Sequence, residues 1–276
     1  MGLNGRICNA FINGVNSITN KDIRQIAMEQ SAVDLSCSVE DFMQPKNTVV
    51  ISKMNQGRKK YFKELHFCQF VCYGKSLVAS VDEQMQDCVN SYVGDHLGFR
   101  CFEMPKLALL NEELKRYGKC VGMMVEYFLP DITKSRDVKP DFDFSILRND
   151  DITDLYGDDR FHNALRYARH SERRDVIAVV GYRNKEIVGI AGASNDSTTM
   201  WQVGIDVVPA YRGKGVASVL TRVITDEILS QGIVPFYGTT WSHIASKNTA
   251  IDSGYKPAWV ELAAIDVSRA RAIYPL

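Results

Sequence analysis

The sequence predicts a mixed-sheet α/β (α+β) protein, and three features predict it. Apolar runs of strand length alternate with stripes at helical spacing along most of the chain. One stripe opens inside a glycine-rich turn, Arg212-Gly213-Lys214-Gly215-Val216-Ala217, just after an apolar run that stops at Pro209. A polar stretch framed by prolines, Leu129 to Pro140, divides the chain as a linker does. The expected organisation is an α/β N-terminal domain over 1–130 and a second α/β domain over 141–276.

In the N-terminal half, Lys21 to Leu35 reads as a helix and Thr48 to Ser52 as a short strand. His66–Tyr73 and Ser76–Val81 make a hairpin around Gly74-Lys75. Gln84 to Leu97 reads as a helix, and Val121 to Phe128 as an apolar strand. In the C-terminal half, Phe142 to Ile146 alternates as a strand and Ile152 to Tyr167 reads as helical. Val176–Tyr182 and Ile187–Ala193 form a hairpin across Arg183-Asn184-Lys185, and a turn at Asn195-Asp196-Ser197 leads to a strand from Met200 to Val208. Val216, Val219, Leu220, Val223, Ile224 and Ile228 form one helical stripe that Gly232 closes. Ile233–Trp241 is a strand. Ser242 then caps a short helix ending at Gly254-Tyr255, and a last strand carries Trp259, Val260 and Leu262.

A glycine turn that opens a helix offers free backbone N–H groups at the positive end of the helix dipole, which suits a pyrophosphate. The spacing excludes two common versions. A P-loop needs a hydroxyl residue after its lysine, and Lys214 is followed by Gly215. A dinucleotide fingerprint needs a third glycine where Ser218 stands, and an acid at the end of the next strand, which Ile233–Trp241 lacks. Asp206 alternates with Ile205 and Val207 and so points to the other side of its strand, as a structural or substrate-side acid. Trp201, Trp241 and Trp259 are expected in core or pocket walls.

Arg212, Gly215 and Ala217 fill the three defined positions of Gln/Arg-x-x-Gly-x-Gly/Ala. With the element order β-α-β-β-β-α-β-α-β around it, and His243-Ile244-Ala245-Ser246…Ala250…Gly254-Tyr255 near the end, the C-terminal half resembles the GNAT acetyltransferase superfamily. The resemblance implies a GNAT fold there, acetyl-CoA (coenzyme A) as cofactor, and direct attack of a primary amine of a small molecule or peptide on the thioester. It implies that Val207 and Val208 bond the pantetheine amides and that Gly213, Lys214, Gly215, Val216 and Ala217 hold the pyrophosphate after Arg212. It places Ser246 near the coenzyme arm. Two family features are missing: Ala250 stands where many members carry a tyrosine acid, and Thr199 to Gln202 holds no glutamate base. His243, Tyr237 and Glu261 are the catalytic candidates that remain. The same gaps leave room for an alternative, a non-catalytic acyl-CoA-binding or sensing protein on this scaffold, and for an acyl group longer than acetyl. In the family the acceptor site is shaped by the stretch matching Leu155 to Ser171, here with Tyr156, Asp158, Asp159, His162, Arg166 and His170. The N-terminal half lacks the cradle. It reads as a degenerate GNAT-like half, or as a substrate-binding or dimerisation domain, the last implying a homodimer.

The 33 basic and 33 acidic residues balance, which argues against nucleic acid or an anionic membrane as partner and leaves a small-molecule amine as the expected one. No apolar run approaches the roughly 20 residues of a membrane span, and Met1 to Asn20 holds no continuous apolar core of a secretory signal. All seven cysteines, at 8, 37, 68, 72, 88, 101 and 120, lie in the first 120 residues without zinc spacing. No metal, reduced thiols and a cytoplasmic location are the expectation.

Overall fold

The computed structural model describes residues 18–134 (the side chain of Met123 apart), 141–167 and 171–275. Cys8, His170 and the 135–140 part of the expected linker lie outside the described residues. The first helix, α1 (Asn20–Leu35), starts at a capping box in which Thr19 and Asp22 satisfy each other's backbone N–H groups. Strands β1 (Thr48–Ile51), β2 (Cys68–Cys72) and β3 (Leu77–Val81) follow, with β2 and β3 antiparallel as the hairpin pattern predicts. Helix α2 (Gln86–Val93) is shorter than expected. Asp82 caps a 3-10 turn ahead of it, and Gly94, at φ 38°, ends it. Between it and the long β4 (Lys119–Pro130) lies α3 (Met104–Lys115), which buries Leu107, Leu110 and Leu114.

The C-terminal half contributes β5 (Asp143–Arg148), β6 (Asp175–Arg183), β7 (Glu186–Ser194), β8 (Met200–Val207), α4 (Val216–Ser230), β9 (Val234–Thr240), α5 (Ile244–Asp252), β10 (Tyr255–Asp266) and α6 (Val267–Ile273). One mixed sheet runs β1-β3-β2-β10-β4-β9-β8-β7-β6-β5. The halves interleave in it. β4 pairs with β9 from Val125↔Thr240 to Phe128↔Tyr237, and β10 pairs with both β4 and β2. Sequence neighbours usually pair; here each half lends a strand to the other, and the sheet is continuous across Leu129–Pro140.

The expected helix from Ile152 to Tyr167 is instead two 3-10 segments, Asn149–Leu155 and Asp159–Phe161, then a turn at 162–164 and irregular chain to Tyr167. Two carboxylates explain this. Asp206 accepts from the N–H groups of Asn163 (2.6 Å) and Ala164 (2.9 Å). Asp175 accepts from those of Arg166 (2.9 Å) and Tyr167 (2.8 Å). Those four donors would otherwise turn back to helical carbonyls. The stretch lies so close on the sheet that a Cβ at Gly204 would come 2.1 Å from the Asn163 carbonyl oxygen. Asp206 is thus a structural acid.

α1 packs on one side of the sheet over Val71, Tyr73, Tyr127, Phe236 and Trp259. α4 packs on the other, against Val179, Val203, Tyr237 and Tyr255. The alternation of Phe236 and Tyr237 along β9 assigns one to each side. Beneath α1, Lys59 is buried with its ammonium 2.7 Å from Asp34. Burial alone would lower the Lys59 pKa, but Asp34 and Glu261 outweigh it and hold the group protonated.

Beside this pair, His66 Nε2 lies 2.7 Å from an Arg58 nitrogen. The same nitrogen lies 3.0 Å from the Asp34 carbonyl, so it meets an obligate donor and an obligate acceptor, and it is burial that keeps the imidazole neutral. Burial, with Arg58 beside it, pushes its pKa down to about 4. The unfolded chain takes up a proton here as pH falls through about 6.5, while the folded chain does so only near 4. Stability is therefore full above about pH 6.5 and falls towards pH 4. Urea unfolding should show a loss in this window, on the order of 3 kcal/mol, that His66→Gln lacks. Equal slopes in both proteins would contradict the assignment.

Candidate functional site

β8 and β9 are parallel and pair from Met200↔Val234 to Val203↔Tyr237, where the pairing stops. β8 runs on to Val207 and β9 to Thr240, so the two strands part. The Val208 N–H bonds the Val188 carbonyl on β7 at 2.9 Å, which fixes the parity of the ladder. Residues 206 and 208 turn their backbone groups to β7; Ile205 and Val207 turn theirs into the gap. This corrects one expectation. Val208 donates to Val188 and accepts from the Tyr211 N–H at 2.9 Å, so its backbone is already committed. Of the pair, Val207 alone keeps a group for a ligand in the gap. Its carbonyl is held at 3.0 Å by Arg212 Nε, which ties the end of β8 to the glycine turn.

In that turn Gly213 has φ 71° and Gly215 φ 78°, a conformation that costs other residues about 1–2 kcal/mol. A Cβ at either position would meet nothing within 4 Å, so the surface above both is open. Gly215 is the N-cap of α4 and makes no side-chain cap bond. Among the described residues no acceptor takes the N–H groups of Gly213, Lys214 and Gly215, and those of Val216 and Ala217 are in the first helical turn, which has no intrahelical partners. Lys214 folds back to the Ala210 carbonyl (3.0 Å) over the Tyr211 ring. The arrangement is an anion cradle at the mouth of the gap, and its residue types fit a pyrophosphate.

Of the catalytic candidates, Tyr237 is buried on the α4 side, with its hydroxyl 2.9 Å from the Ser246 hydroxyl on α5. Burial raises its pKa, so the phenol stays protonated. Ser246 is thereby placed beside the last paired residue of β9. Glu261 lies on the opposite side, buried, accepting from Trp259 Nε1 at 2.8 Å and Gln69 Nε2 at 3.3 Å. Burial lifts its carboxyl above the ordinary range against the pull of Lys59. His243, not Ser242, occupies the N-cap of α5; it is exposed and makes no side-chain cap bond. The structure does not bring the three together.

Glu261 faces a cavity of about 1180 Å³ that runs along β4 and β10 to Gln202 on β8 and Thr240 on β9. The 61–69 segment and helices α3 and α6 complete its walls. Arg173 supports it: its guanidinium is 2.5 Å from Asp196, lies over the rings of Tyr61 and Tyr167, and donates to Gln202 at 2.5 Å. None of the described residues between Leu155 and Tyr167 lines this cavity. Tyr156, Asp158 and Arg166 instead bond within or next to their own segment. Trp241 stands at the cavity mouth, Trp259 is stacked on Tyr127 with centroids 4.7 Å apart, and Trp201 packs against the α4 core.

The six described cysteines are free, and burial pushes Cys68 up to about 12, far from a reactive thiolate. Among the described residues no helix is long and apolar enough to cross a membrane.

Parted parallel strands with an open glycine turn at the following helix form a class of α/β site suited to a phosphate-bearing ligand. Residues 143–249 match the Acetyltransferase (GNAT) family, which supports a GNAT superfamily member in the C-terminal part of the chain. No curated protein matches the sequence. Similar solved structures include a putative GNAT-family acetyltransferase from Novosphingobium aromaticivorans, 16% identical over 53% of this chain and 66% of that one, at a TM-score of 0.39. A GCN5-related N-acetyltransferase-like protein from Streptococcus suis is 14% identical over 59% and 68%, at 0.43. The aminoglycoside N-acetyltransferase AAC(6')-Iy, in complex with CoA, is 16% identical over 44% and 93%, at 0.34. The match spans just under two thirds of the Novosphingobium chain.

Proposed function

We propose that the protein transfers an acetyl group from acetyl-CoA to a primary amine of a small molecule or peptide by direct attack. The observation that carries this reading is the cradle at Gly213–Ala217 opening beside the gap between β8 and β9. Bound acetyl-CoA supplies an activated thioester whose thiol, with a pKa of about 8.5, leaves without strong assistance. The N–H groups of the turn hold the pyrophosphate, and the Val207 N–H orients the pantetheine arm from the open edge of β8. A backbone N–H at this edge also stabilises negative charge on the thioester oxygen.

The sheet separates the two titratable groups. Tyr237, bonded to Ser246 on the α5 side, faces the coenzyme arm and hydrogen-bonds the departing thiolate. Glu261 faces the cavity and takes the proton of the amine. A carboxyl that burial lifts above the ordinary carboxylate range is better matched to that task than an exposed one. His243, exposed at the start of α5, has no role in this scheme.

Isothermal titration calorimetry with acetyl-CoA tests the whole reading; absence of binding would end it. Glu261→Gln keeps the shape and an acceptor for Trp259. It should lower kcat by about 100-fold, remove the acid limb of the pH–rate profile, and leave the acetyl-CoA KM within about twofold. An unchanged kcat would transfer the role to water or another group.

A further inference from the structure

The cavity that meets Glu261 is polar at one end and apolar at the other. At its inner end lie Glu261, Gln69, Gln202 and Tyr61. The Tyr61 hydroxyl is buried without a well-formed hydrogen bond of its own, with Tyr127 next to it. At its mouth stand five large apolar side chains, each about half exposed or more: Leu65 (52%), Met104 (65%), Trp241 (49%), Ile273 (48%) and Tyr274 (61%). They come from four separate parts of the chain and converge on one opening. An apolar cluster of this kind marks a binding surface more often than chance exposure does.

The charges around the cavity largely cancel. Lys119 pairs with Asp266 at 2.8 Å, and Arg173 with Asp196. Glu261 is the buried carboxylate that remains at the inner end, and Lys59 already opposes it. A polycation such as a polyamine or an aminoglycoside needs several acids in its site, and a polyanion needs several bases. The described walls carry both signs, Glu64, Glu261 and Asp266 against Lys63, Lys119, Arg173 and Arg269, so neither a polycation nor a polyanion meets a field of one sign.

We propose that the acceptor is an amphipathic monoamine: one amino group on an extended alkyl or aryl body, with the nitrogen at Glu261 and the body lying along the apolar mouth. This rests on the acetyltransfer reading for its purpose, but it concerns binding and can be tested without turnover. The volume exceeds the several hundred Å³ typical of compact ligands and gives room for a body several carbons long.

The test is calorimetric titration of the full chain with n-butylamine, n-hexylamine, n-octylamine and spermidine, with CoA titrated separately. Each methylene that becomes fully buried tightens Kd by about fourfold, so octylamine should bind at least about tenfold more tightly than butylamine, and spermidine more weakly than octylamine. Met104→Glu and Ile273→Glu, both exposed helix positions, should each reduce the octylamine gain and leave butylamine and CoA affinities unchanged. The proposal is overturned if octylamine binds no better than butylamine, if spermidine binds most tightly, if no amine binds, or if the gain survives both charged variants. A chain that binds CoA but shows no length dependence loses this inference alone. A chain that binds octylamine but not CoA loses the acetyl-CoA reading instead.

Discussion

Gly215→Glu should abolish most CoA affinity while the protein stays folded. At φ 78° the new residue carries a backbone penalty of about 1–2 kcal/mol, a cost the domain should survive. Nothing lies within 4 Å of the position a Cβ would take, so the side chain enters solvent above the turn and displaces no packing. On the coenzyme reading, that open space borders the unbonded N–H groups of the turn. A carboxylate there satisfies those donors itself and repels the two phosphates that would replace it. The expected loss is at least about 100-fold in Kd, or about 2.7 kcal/mol, with the thermal midpoint lowered by only a few degrees. Gly215→Ala adds the strain without the charge and should lose far less. Calorimetry with CoA and thermal circular dichroism on both variants give the two numbers. Unchanged affinity in the glutamate variant would remove the cradle from the coenzyme site.

The contrast between cradle and cavity shows what the sequence made legible. The turn is local: Pro209 ends β8, two glycines permit positive φ, and the stripe from Val216 to Ile228 starts at once. Each signal sits within a few residues of the next. The parting of β8 from β9 follows in the same region, where their pairing stops at Val203 and Tyr237. The commitment of Val208 to β7 was not legible, because ladder parity depends on the partner's register. The 152–167 stretch failed as a helix for a reason invisible to periodicity: two aspartates, on β6 and β8, take its N–H groups. The cavity was least accessible of all. Glu261 could be named as an unplaced acid, but its setting joins Tyr61, Tyr127 and Gln202. That meeting depends on β4 lying between β9 and β10, and no local pattern encodes that order. Arg173 carries no motif; its position next to the turn at Asn195-Asp196-Ser197 exists only in three dimensions.

Asp34→Ala should be the most damaging single substitution for stability. The carboxylate holds the Lys59 ammonium at 2.7 Å, accepts the Lys59 backbone N–H at 2.8 Å and accepts Gln30 at 3.0 Å, all below α1. Lys59 has no route to water, since its side chain is 1% exposed. Its ammonium is boxed by the rings of Phe62, Phe236 and Trp259, at 5.7–5.9 Å from their centroids. Removing the carboxylate leaves a buried cation with only the more distant Glu261 to oppose it. Removing one member of a buried pair costs about 3–5 kcal/mol, which is a large part of the stability of an ordinary domain. Lys59→Met with Asp34→Leu removes both charges and should recover much of the loss, because a buried ion pair gives little net stability over an apolar replacement. Urea unfolding of the two proteins measures this directly. A loss below about 1 kcal/mol in Asp34→Ala would mean that Glu261 alone can hold Lys59. In that case Glu261 is fixed as a structural counter-ion, and its assignment as the proton acceptor for the amine fails with it.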